Sequence, residues 1–367
     1  MRIDEVELRL VRLPYRSPFK TSFAEETEKH AIIVTVRSEG VEGYGEGVMD
    51  PFPHYREECI AGAWHLLRNA FAPELIANGC DHPSQLTARW AGWRGNPMAK
   101  TALELAVWDC YARQQGVPLR TLLGGTRTEI PVGASLGMNT IEKTVDSVAL
   151  HVQQGYQRVK LKIEPGWDVA LLAAVRAEFP FIELTVDANS AYTLADIEVL
   201  REIDQFGLHY IEQPLHWDDM VQHARLASML HTNICLDETL TSPARVKESL
   251  DMGACSVVNV KVGRVGGLQS VREIHDLCVQ RGVPMWCGGM LETGIGRAHN
   301  IHLATMPGFV FPGDTASASR TYARDIVEQP LEAVNGMMAV PAGAGIGVTL
   351  DLPFLNEVTE QTEVVGA

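Results

Sequence analysis

Five short runs decide the fold of this sequence, because each run is mainly apolar and ends in a charged residue. They are Val159-Lys160-Leu161-Lys162, Leu184-Thr185-Val186-Asp187, Tyr210-Ile211-Glu212, Ile234-Cys235-Leu236-Asp237 and Val258-Asn259-Val260-Lys261. The first four runs end 25 positions apart, and the fifth ends 24 positions after the fourth. This period is the length of one strand–loop–helix–loop unit. The runs therefore predict successive parallel strands whose carboxyl ends carry charge.

Extending the same period in both directions gives eight candidate strands. They lie at residues 132–136, 158–163, 182–186, 208–211, 233–236, 256–260, 283–286 and 309–311. Amphipathic segments such as 194–206 and 268–281 separate them and predict helices. Eight such units are typical of one α/β fold, the (β/α)₈ (TIM-type) barrel, which we predict for residues 126–325. An open doubly wound sheet is the alternative, but no Gly-x-Gly-x-x-Gly follows a first strand.

The first 125 residues do not follow this period. Antiparallel strands are predicted at 1–15 and 30–47, and helices at 55–74, 83–92 and 97–115. We therefore expect an α+β capping domain over residues 1–125, ending near the Gly124-Gly125 turn. The tail, residues 326–367, holds one more strand-like piece at 338–340 and a glycine-rich turn at 343–347. We predict that this tail straps back onto the capping domain.

The composition of the chain excludes several classes of protein. Its 367 residues are 46% hydrophobic and 21% charged, as in ordinary globular proteins, and the net charge of −15 argues against a nucleic acid partner. No run of about 18 apolar residues predicts a membrane span. The seven cysteines are scattered without a Cys-x-x-Cys pair, so neither a zinc site nor a disulfide framework is expected. Reduced, buried thiols are typical of a cytoplasmic protein.

Three carboxylates stand at the ends of neighbouring predicted strands. Asp187, Glu212 and Asp237 would meet at the mouth of the barrel, where the active sites of such barrels form. Each one alone is explained more simply as a helix cap or a surface ion pair. Together they would repel one another unless a cation lay between them. Ligands that are all oxygen favour a hard ion, Mg²⁺ before Mn²⁺ or Ca²⁺.

Two lysines end the second and the sixth predicted strands. Because these strands are four apart in a ring of eight, Lys162 and Lys261 would face each other across the mouth. Desolvation, a metal ion and the neighbouring Lys160 would each lower a lysine pKa and supply a neutral amine as a base. Two bases on opposite faces of a carbon next to a carboxylate allow racemisation, or β-elimination where a leaving group is present. Coordination of that carboxylate to Mg²⁺ would stabilise the enolate.

These motifs resemble a known superfamily of enzymes. The strand-end motifs Val159-Lys160-Leu161-Lys162, Asp187-Ala188-Asn189, Ile211-Glu212-Gln213-Pro214, Leu236-Asp237-Glu238 and 261–267 are similar to the muconate-lactonising branch of the enolase superfamily. Three longer motifs are Pro165-Gly166-Trp167-Asp168, residues 286–300 (WCGGMLETGIGRAHN) and Pro312-Gly313-Asp314-Thr315. They resemble the N-succinylamino acid racemase/o-succinylbenzoate synthase family over essentially the whole chain.

The resemblance implies roles for individual residues. Lys162 and Lys261 would be the acid/base pair, and Asp187, Glu212 and Asp237 would hold Mg²⁺, which Mn²⁺ or Co²⁺ could replace. Supporting roles around these residues would fall to Lys160, Asn189, Glu238 and Arg264. A homo-oligomer, from a dimer to an octamer, is also implied.

The resemblance leaves several functions to weigh. Racemisation of N-succinyl or other N-acylamino acids comes first, with the o-succinylbenzoate synthase reaction of menaquinone synthesis in the same site or as the main role. A muconate-type cycloisomerase and a dipeptide epimerase follow, although Asp314-Thr315-Ala316 lacks the Asp-x-Asp that dipeptide epimerases use. A barrel that only binds a carboxylate is the last alternative, and it would gain little from two opposed lysines.

Substrate specificity is expected from two lid loops of the capping domain, residues 17–23 and 48–55. They are rich in apolar side chains that suit an acyl group or a ring. An exposed loop with incidental aromatic residues is the alternative interpretation. The predicted substrate-binding residues are Phe19, Phe23, Met49, Tyr55, Ser135, Met138, Met290, Glu292 and Asp314.

Overall fold

The computed structural model of the chain describes residues 1–20 and 25–366. The N-terminal part contains three strands and five helices. They are β1 (Glu5–Lys20), β2 (Glu25–Ser38), β3 (Val41–Gly47), α1 (Ile60–Leu66), α2 (Ala72–Asn78), α3 (Gln85–Arg89), α4 (Pro97–Gln114) and α5 (Leu119–Leu123). A π-helical turn, Leu67–Phe71, joins α1 to α2. The predicted strands and helices are present here, but residues 55–59 are not helical and instead run towards the barrel.

The second part alternates strands and helices. Its elements are β4 (Glu129–Pro131), β5 (Ala134–Leu136), α6 (Ile141–Gln153), β6 (Arg158–Lys162), α7 (Val169–Glu178), β7 (Glu183–Asp187), α8 (Ile197–Ile203), β8 (Tyr210–Glu212), α9 (Met220–Ala227), β9 (Asn233–Leu236), α10 (Pro243–Asp251), β10 (Val257–Val260), α11 (Val262–Val265), α12 (Leu268–Arg281), β11 (Met285–Cys287) and α13 (Gly294–Leu303). Short 3₁₀ turns flank α8 at Leu194–Asp196 and Asp204–Phe206, and another lies at Ala318–Arg320. The tail adds β12 (Ala333–Val334), β13 (Met337–Ala339), α14 (Leu352–Glu357) and β14 (Thr359–Gly366).

Strands β5 to β11 form one parallel sheet in sequence order, which confirms the predicted (β/α)₈ architecture. The eighth predicted strand, 309–311, differs, because it is not a regular strand. It closes the ring through single parallel bridges, Met285 to Phe309 and Val132 to Gly313. Pro312 explains the irregularity, since proline has no backbone N–H to donate to a ladder.

The tail returns to the N-terminal sheet, as predicted. Strand β14 pairs antiparallel with β1, from Glu5 opposite Gly366 onward, and the sheet has the order β14-β1-β2-β3. The chain limits of the three predicted segments, 1–125, 126–325 and 326–367, remain a proposal.

A buried carboxylate joins the N-terminal domain to the barrel near its mouth. Glu46 in β3 accepts hydrogen bonds from the backbone N–H of Thr293 at 3.0 Å, from its hydroxyl at 2.6 Å and from the N–H of Gly296 at 2.8 Å. These donors lie at the start of α13, where a helix leaves N–H groups unpaired and favours negative charge. The contact fixes β3, and with it the start of the 48–55 segment, over the barrel.

Helix α4 lies directly on β3, because β3 carries glycines on that face. A Cβ atom at Gly45 would lie 2.1 Å from the carbonyl oxygen of Ala102 and 2.7 Å from the backbone nitrogen of Ala106. Backbone atoms in the middle of a buried helix have little freedom to move away. The close approach therefore depends on glycine at this position.

Six of the seven cysteines are buried, and none forms a disulfide. Within residues 1–20 and 25–366, no helix is long and apolar enough to cross a membrane.

We predict that Gly45→Ala lowers the free energy of unfolding by about 1–3 kcal/mol or more, because the added methyl group overpacks the α4–β3 contact. The matched control is Gly62→Ala in α1, where the nearest atom to a new Cβ is the Cys59 sulfur at 3.9 Å. That change should stabilise the protein by about 0.5–1 kcal/mol, since alanine loses less backbone entropy in a helix. Urea and thermal denaturation followed by circular dichroism measure both, and equal effects would contradict the packing argument.

Candidate active site

The five charged residues of the sequence period meet at one end of the barrel. Lys162, Asp187 and Glu212 are the last residues of β6, β7 and β8, while Asp237 and Lys261 directly follow β9 and β10. All five side chains are buried. Since parallel strands place their carboxyl ends on one edge, the predicted convergence of the five is present in the structure.

Each lysine donates to a carboxylate of a neighbouring strand. The Nζ of Lys162 lies 2.6 Å from Asp187 and 2.6 Å from the side-chain oxygen of Asn189. The Nζ of Lys261 lies 2.9 Å from Asp237 and 2.9 Å from the hydroxyl of Tyr55. Three strands, β7 to β9, separate β6 from β10 in the sheet, so the two ammonium groups approach the mouth from opposite sides.

Lys160 lies deeper and joins three carboxylates. Its Nζ is 2.7 Å from Asp314, 2.9 Å from Glu212 and 3.4 Å from Asp187. Burial disfavours its charge, but these three carboxylates outweigh burial and raise the pKa of Lys160. In this arrangement Lys160 is therefore a cation that holds the three carboxylates together.

The pKa values of the carboxyl groups in the cluster are shifted in different directions. Burial acts against the ionised form of Asp187, but Lys162 and Lys160 outweigh it and lower its pKa. Burial and the charge of Asp187 together raise the pKa of Glu212. They also raise the pKa of Glu238, although Lys261 and Asn189 act the other way. The direction of each shift thus depends on the balance of burial, neighbouring lysines and neighbouring carboxylates.

Burial alone would lower the pKa of Lys261, but the pKa is raised. Burial does act against its charge, but Tyr55, Glu238 and Glu212 outweigh burial, so the pKa of Lys261 lies above its usual value. This direction is opposite to that of the predicted lowering, which included the charge of a metal ion and stays a prediction. The reason is that its ammonium group faces several negative groups of the same cluster at short range.

The carboxylate oxygens of the cluster suit a divalent cation that binds oxygen, although they do not surround a common point in this structure. In the described part of the chain, no three His, Cys, Asp or Glu side chains are positioned to hold one ion. Ammonium groups and the guanidinium of Arg264, which contacts the Asp237 carboxylate, lie between the acids. One carboxylate oxygen of Glu238, Oε2, is buried without a hydrogen-bond partner, while Asn189 donates to the other at 2.9 Å. Buried carboxylate oxygens are the donor atoms that Mg²⁺ prefers.

The remaining supporting residues hold the ends of the strands. Arg264 donates to the carbonyl oxygen of Leu240 at 2.8 Å and to that of Asn259 at 2.6 Å. The side chain of Asn259 in turn donates to Glu212 at 2.7 Å. Sequence reasoning missed Asn259, although it lies two positions before Lys261, and alternate residues of a strand share a face.

A cavity of about 350 Å³ lies between the capping domain and the barrel mouth, and both Lys162 and Lys261 line it. Seven predicted substrate-binding residues also line it, namely Phe19, Tyr55, Ser135, Met138, Met290, Glu292 and Asp314. Met49 does not, because it is 1% exposed within the apolar core of the N-terminal domain. Phe23 lies outside the described residues.

Tyr55, at the end of segment 48–55, contacts the barrel at two strand ends. The Tyr55 hydroxyl lies 3.3 Å from Asp237 in addition to its contact with Lys261. The next residue, Arg56, donates to the carbonyl oxygen of Glu238 at 3.0 Å. Phe52 points away and is 67% exposed. The chain thus reaches the ends of β9 and β10 through Tyr55 and the following Arg56.

Two cations of β6 beneath the cavity share one face with Lys162. Arg158 donates to Asp314 at 2.5 Å, and both Arg158 and Lys160 lie over the ring of Trp286, at 5.0 and 4.7 Å. Sequence reasoning missed Arg158 and the role of Trp286. The alternation 158, 160, 162 along one strand was the available signal, because it predicts a single charged face inside the barrel.

The sequence of this chain is similar to known families and proteins. Residues 3–124 match the mandelate racemase/muconate lactonizing enzyme N-terminal domain, and residues 143–354 match the enolase C-terminal domain-like family. The N-succinylamino acid racemase of Thermus thermophilus is 49% identical over 360 residues, with 98% of each chain covered. The o-succinylbenzoate synthase of Geobacillus kaustophilus is 48% identical over 362 residues, with 98% of this chain and 96% of the other covered.

A solved structure agrees. An enolase superfamily member from Listeria innocua superposes with a TM-score of 0.97 at 41% identity, covering 100% of this chain and 99% of the other. The long motifs quoted from the sequence, the barrel with its capping domain and these relatives agree with one another. The chain therefore belongs to the N-succinylamino acid racemase/o-succinylbenzoate synthase family of the enolase superfamily.

Proposed function

We propose that this protein removes the proton next to a carboxylate and racemises N-succinyl or other N-acylamino acids, with o-succinylbenzoate synthase activity in the same site. The observation that carries the proposal is the placement of Lys162 and Lys261 at opposite strands of one cavity, each beside a carboxylate. The names of the relatives support both reactions. Two opposed acid/base groups are what inversion at a carbon atom requires.

Asp187, Glu212 and Asp237 would hold Mg²⁺, with Glu238 beside them. When bound, the ion would supply positive charge to the carboxylate of the substrate. The chain's own residues then move the proton. One lysine accepts it at Nζ from one face of the α-carbon, and the opposite lysine donates a proton at Nζ to the other face. Asn189 orients Lys162, and Tyr55 orients Lys261. Mn²⁺ or Co²⁺ would serve as substitutes.

The dehydration that yields o-succinylbenzoate begins with the same proton abstraction. It needs one base, and the opposite ammonium group then stabilises the developing negative charge. A role in menaquinone synthesis follows if this reaction is the main one. A dipeptide epimerase is less well supported. The Asp314 carboxylate already forms ion pairs with Arg158 and Lys160, so it is not available to bind the amino group of a dipeptide. A muconate-type cycloisomerase would need only one of the two lysines as an acid or base.

One prediction of the proposed function separates the two lysines. Lys162→Ala and Lys261→Ala should each lower the racemisation rate by about 10²–10⁴-fold or more, because each direction needs both a base and an acid. In D₂O, each variant should still exchange the α-proton of only the enantiomer that faces its surviving lysine. NMR of each enantiomer of an N-succinylamino acid measures both effects. Lys247→Ala, which removes an exposed lysine paired with Asp251 at 2.6 Å, is the control. Racemisation at a near wild-type rate in either active-site variant would refute the opposed-lysine mechanism.

Another prediction concerns the metal. Dialysis against EDTA should abolish activity, and Mg²⁺, Mn²⁺ or Co²⁺ should restore it. Asp237→Asn should weaken Mg²⁺ binding in calorimetry and lower the rate by orders of magnitude, since it removes an anionic ligand. Asp218→Asn removes an exposed carboxylate that pairs with Arg245 at 2.7 Å, and it should change neither quantity. Full activity of the metal-free enzyme would refute the metal assignment.

We also propose a cytoplasmic homo-oligomer, from a dimer to an octamer, as the family resemblance implies. Sedimentation velocity at micromolar concentration should show species at integer multiples, from two to eight, of the 40.3 kDa chain mass. A single 40.3 kDa species under these conditions would be the contrary result.

A further inference from the structure

The cavity surface concentrates positive charge in a chain whose net charge is −15. Seven Lys or Arg residues line it, against five Asp or Glu residues. Such a surface attracts anionic ligands by the field of its summed charges. The question is which of these cations has no partner within the protein.

Most of the cations are already engaged. Lys160, Lys162 and Lys261 each donate to carboxylates at 2.6–2.9 Å. Lys29 donates to the carbonyl oxygen of Met290 at 2.9 Å. Lys20 is exposed at the rim.

Two arginines remain, and their surroundings differ. Arg297 is 4% exposed and donates to the carbonyl oxygens of Ala316 and Glu292, so backbone groups occupy it.

Arg320 differs from all of these residues. Within residues 1–20 and 25–366 it forms no salt bridge, and its side chain makes one hydrogen bond, to the carbonyl oxygen of Ser135 at 3.4 Å. That distance is long for an N–H···O bond. Its guanidinium lies 5.8 Å from the centre of the Tyr156 ring, and it is partly buried. These two weak contacts replace only part of the water contacts that a partly buried guanidinium loses, and no carboxylate replaces the rest.

The position of Arg320 in the ring indicates which part of a substrate it would meet. Arg320 follows the irregular eighth strand position, and it contacts Ser135 in β5, the first strand of the parallel sheet. In a ring of eight, this side lies opposite β8, which ends in Glu212. Lys162 and Lys261 lie across the other diameter. A substrate whose α-carboxylate lies on the side of Asp187, Glu212 and Asp237 would therefore extend its far end towards Arg320.

We propose that Arg320 binds the second carboxylate of a dicarboxylate substrate, the free carboxylate of the N-succinyl group, and so selects succinylated over monocarboxylate N-acyl substrates. This inference rests on the proposed function and adds the chemical class of the group recognised at the far end of the cavity. A guanidinium suits this task because its planar N–H groups match the two oxygens of a carboxylate.

The test compares N-succinylphenylalanine with N-acetylphenylalanine, which lacks the second carboxylate. For Arg320→Gln, the ratio of kcat/KM for the succinyl substrate to that for the acetyl substrate should fall by about 10- to 100-fold, the value of a charge-assisted hydrogen bond. Most of the loss should appear in KM. Arg320→Lys should show a smaller fall, because lysine keeps the charge and loses the paired N–H groups. Arg324→Gln, which removes an exposed arginine paired with Asp351 at 2.6 Å, should leave the ratio unchanged.

A fall of both substrates by the same factor, or of neither, would overturn the role of Arg320. Calorimetry with N-succinylglycine and N-acetylglycine in the presence of Mg²⁺ gives a readout that does not depend on turnover. If the wild-type protein turns over neither substrate, the proposed function fails. The Arg320 site then stands only if N-succinylglycine binds and Arg320→Gln weakens that binding at least tenfold, and it fails otherwise.

Discussion

The whole site depends on the compensation of buried negative charge at the carboxyl ends of the barrel strands. Asp187, Glu212 and Asp237 are each at most 1% exposed, and an isolated buried carboxylate would be very costly. Lys160 offsets part of this cost by joining Glu212 to Asp314. Ion pairs with Asp187 and Asp237 also hold Lys162 and Lys261 in place, so the charges that stabilise the cluster position the two lysines.

The capping domain covers the barrel mouth, and its side chains also contact the charged groups there. Glu46 binds the start of α13, and Lys29 donates to the carbonyl oxygen of Met290 on the adjoining loop. Tyr55 then reaches Lys261 from the same domain. The side chains that line the cavity thus come from both domains, whereas Lys162 and Lys261 both belong to the barrel.

The 25-residue period of the sequence predicted the strands and the residues at their ends. It did not predict features that depend on local chemistry or on packing. The 25-residue spacing placed Lys162, Asp187 and Glu212 at strand ends because a barrel repeats one unit. It could not show that Pro312 disrupts the eighth strand. Met49 was assigned to the cavity because loops and cores share apolar residues, and only packing tells them apart. Arg320 carries no periodic signal, since its place depends on a loop after the last strand position.

The pairing of β1 with β14 has a consequence for how the protein is made. Glu5 and Gly366 are partners in one sheet, so the edge of that sheet is completed by residues synthesised after the entire barrel. On a ribosome, β1 and β2 emerge with one edge unpaired and wait while some 300 further residues are translated. Closing so long a loop is slow, because contacts of high sequence separation form late. The nascent capping domain therefore presents an exposed strand edge of the kind that molecular chaperones shield.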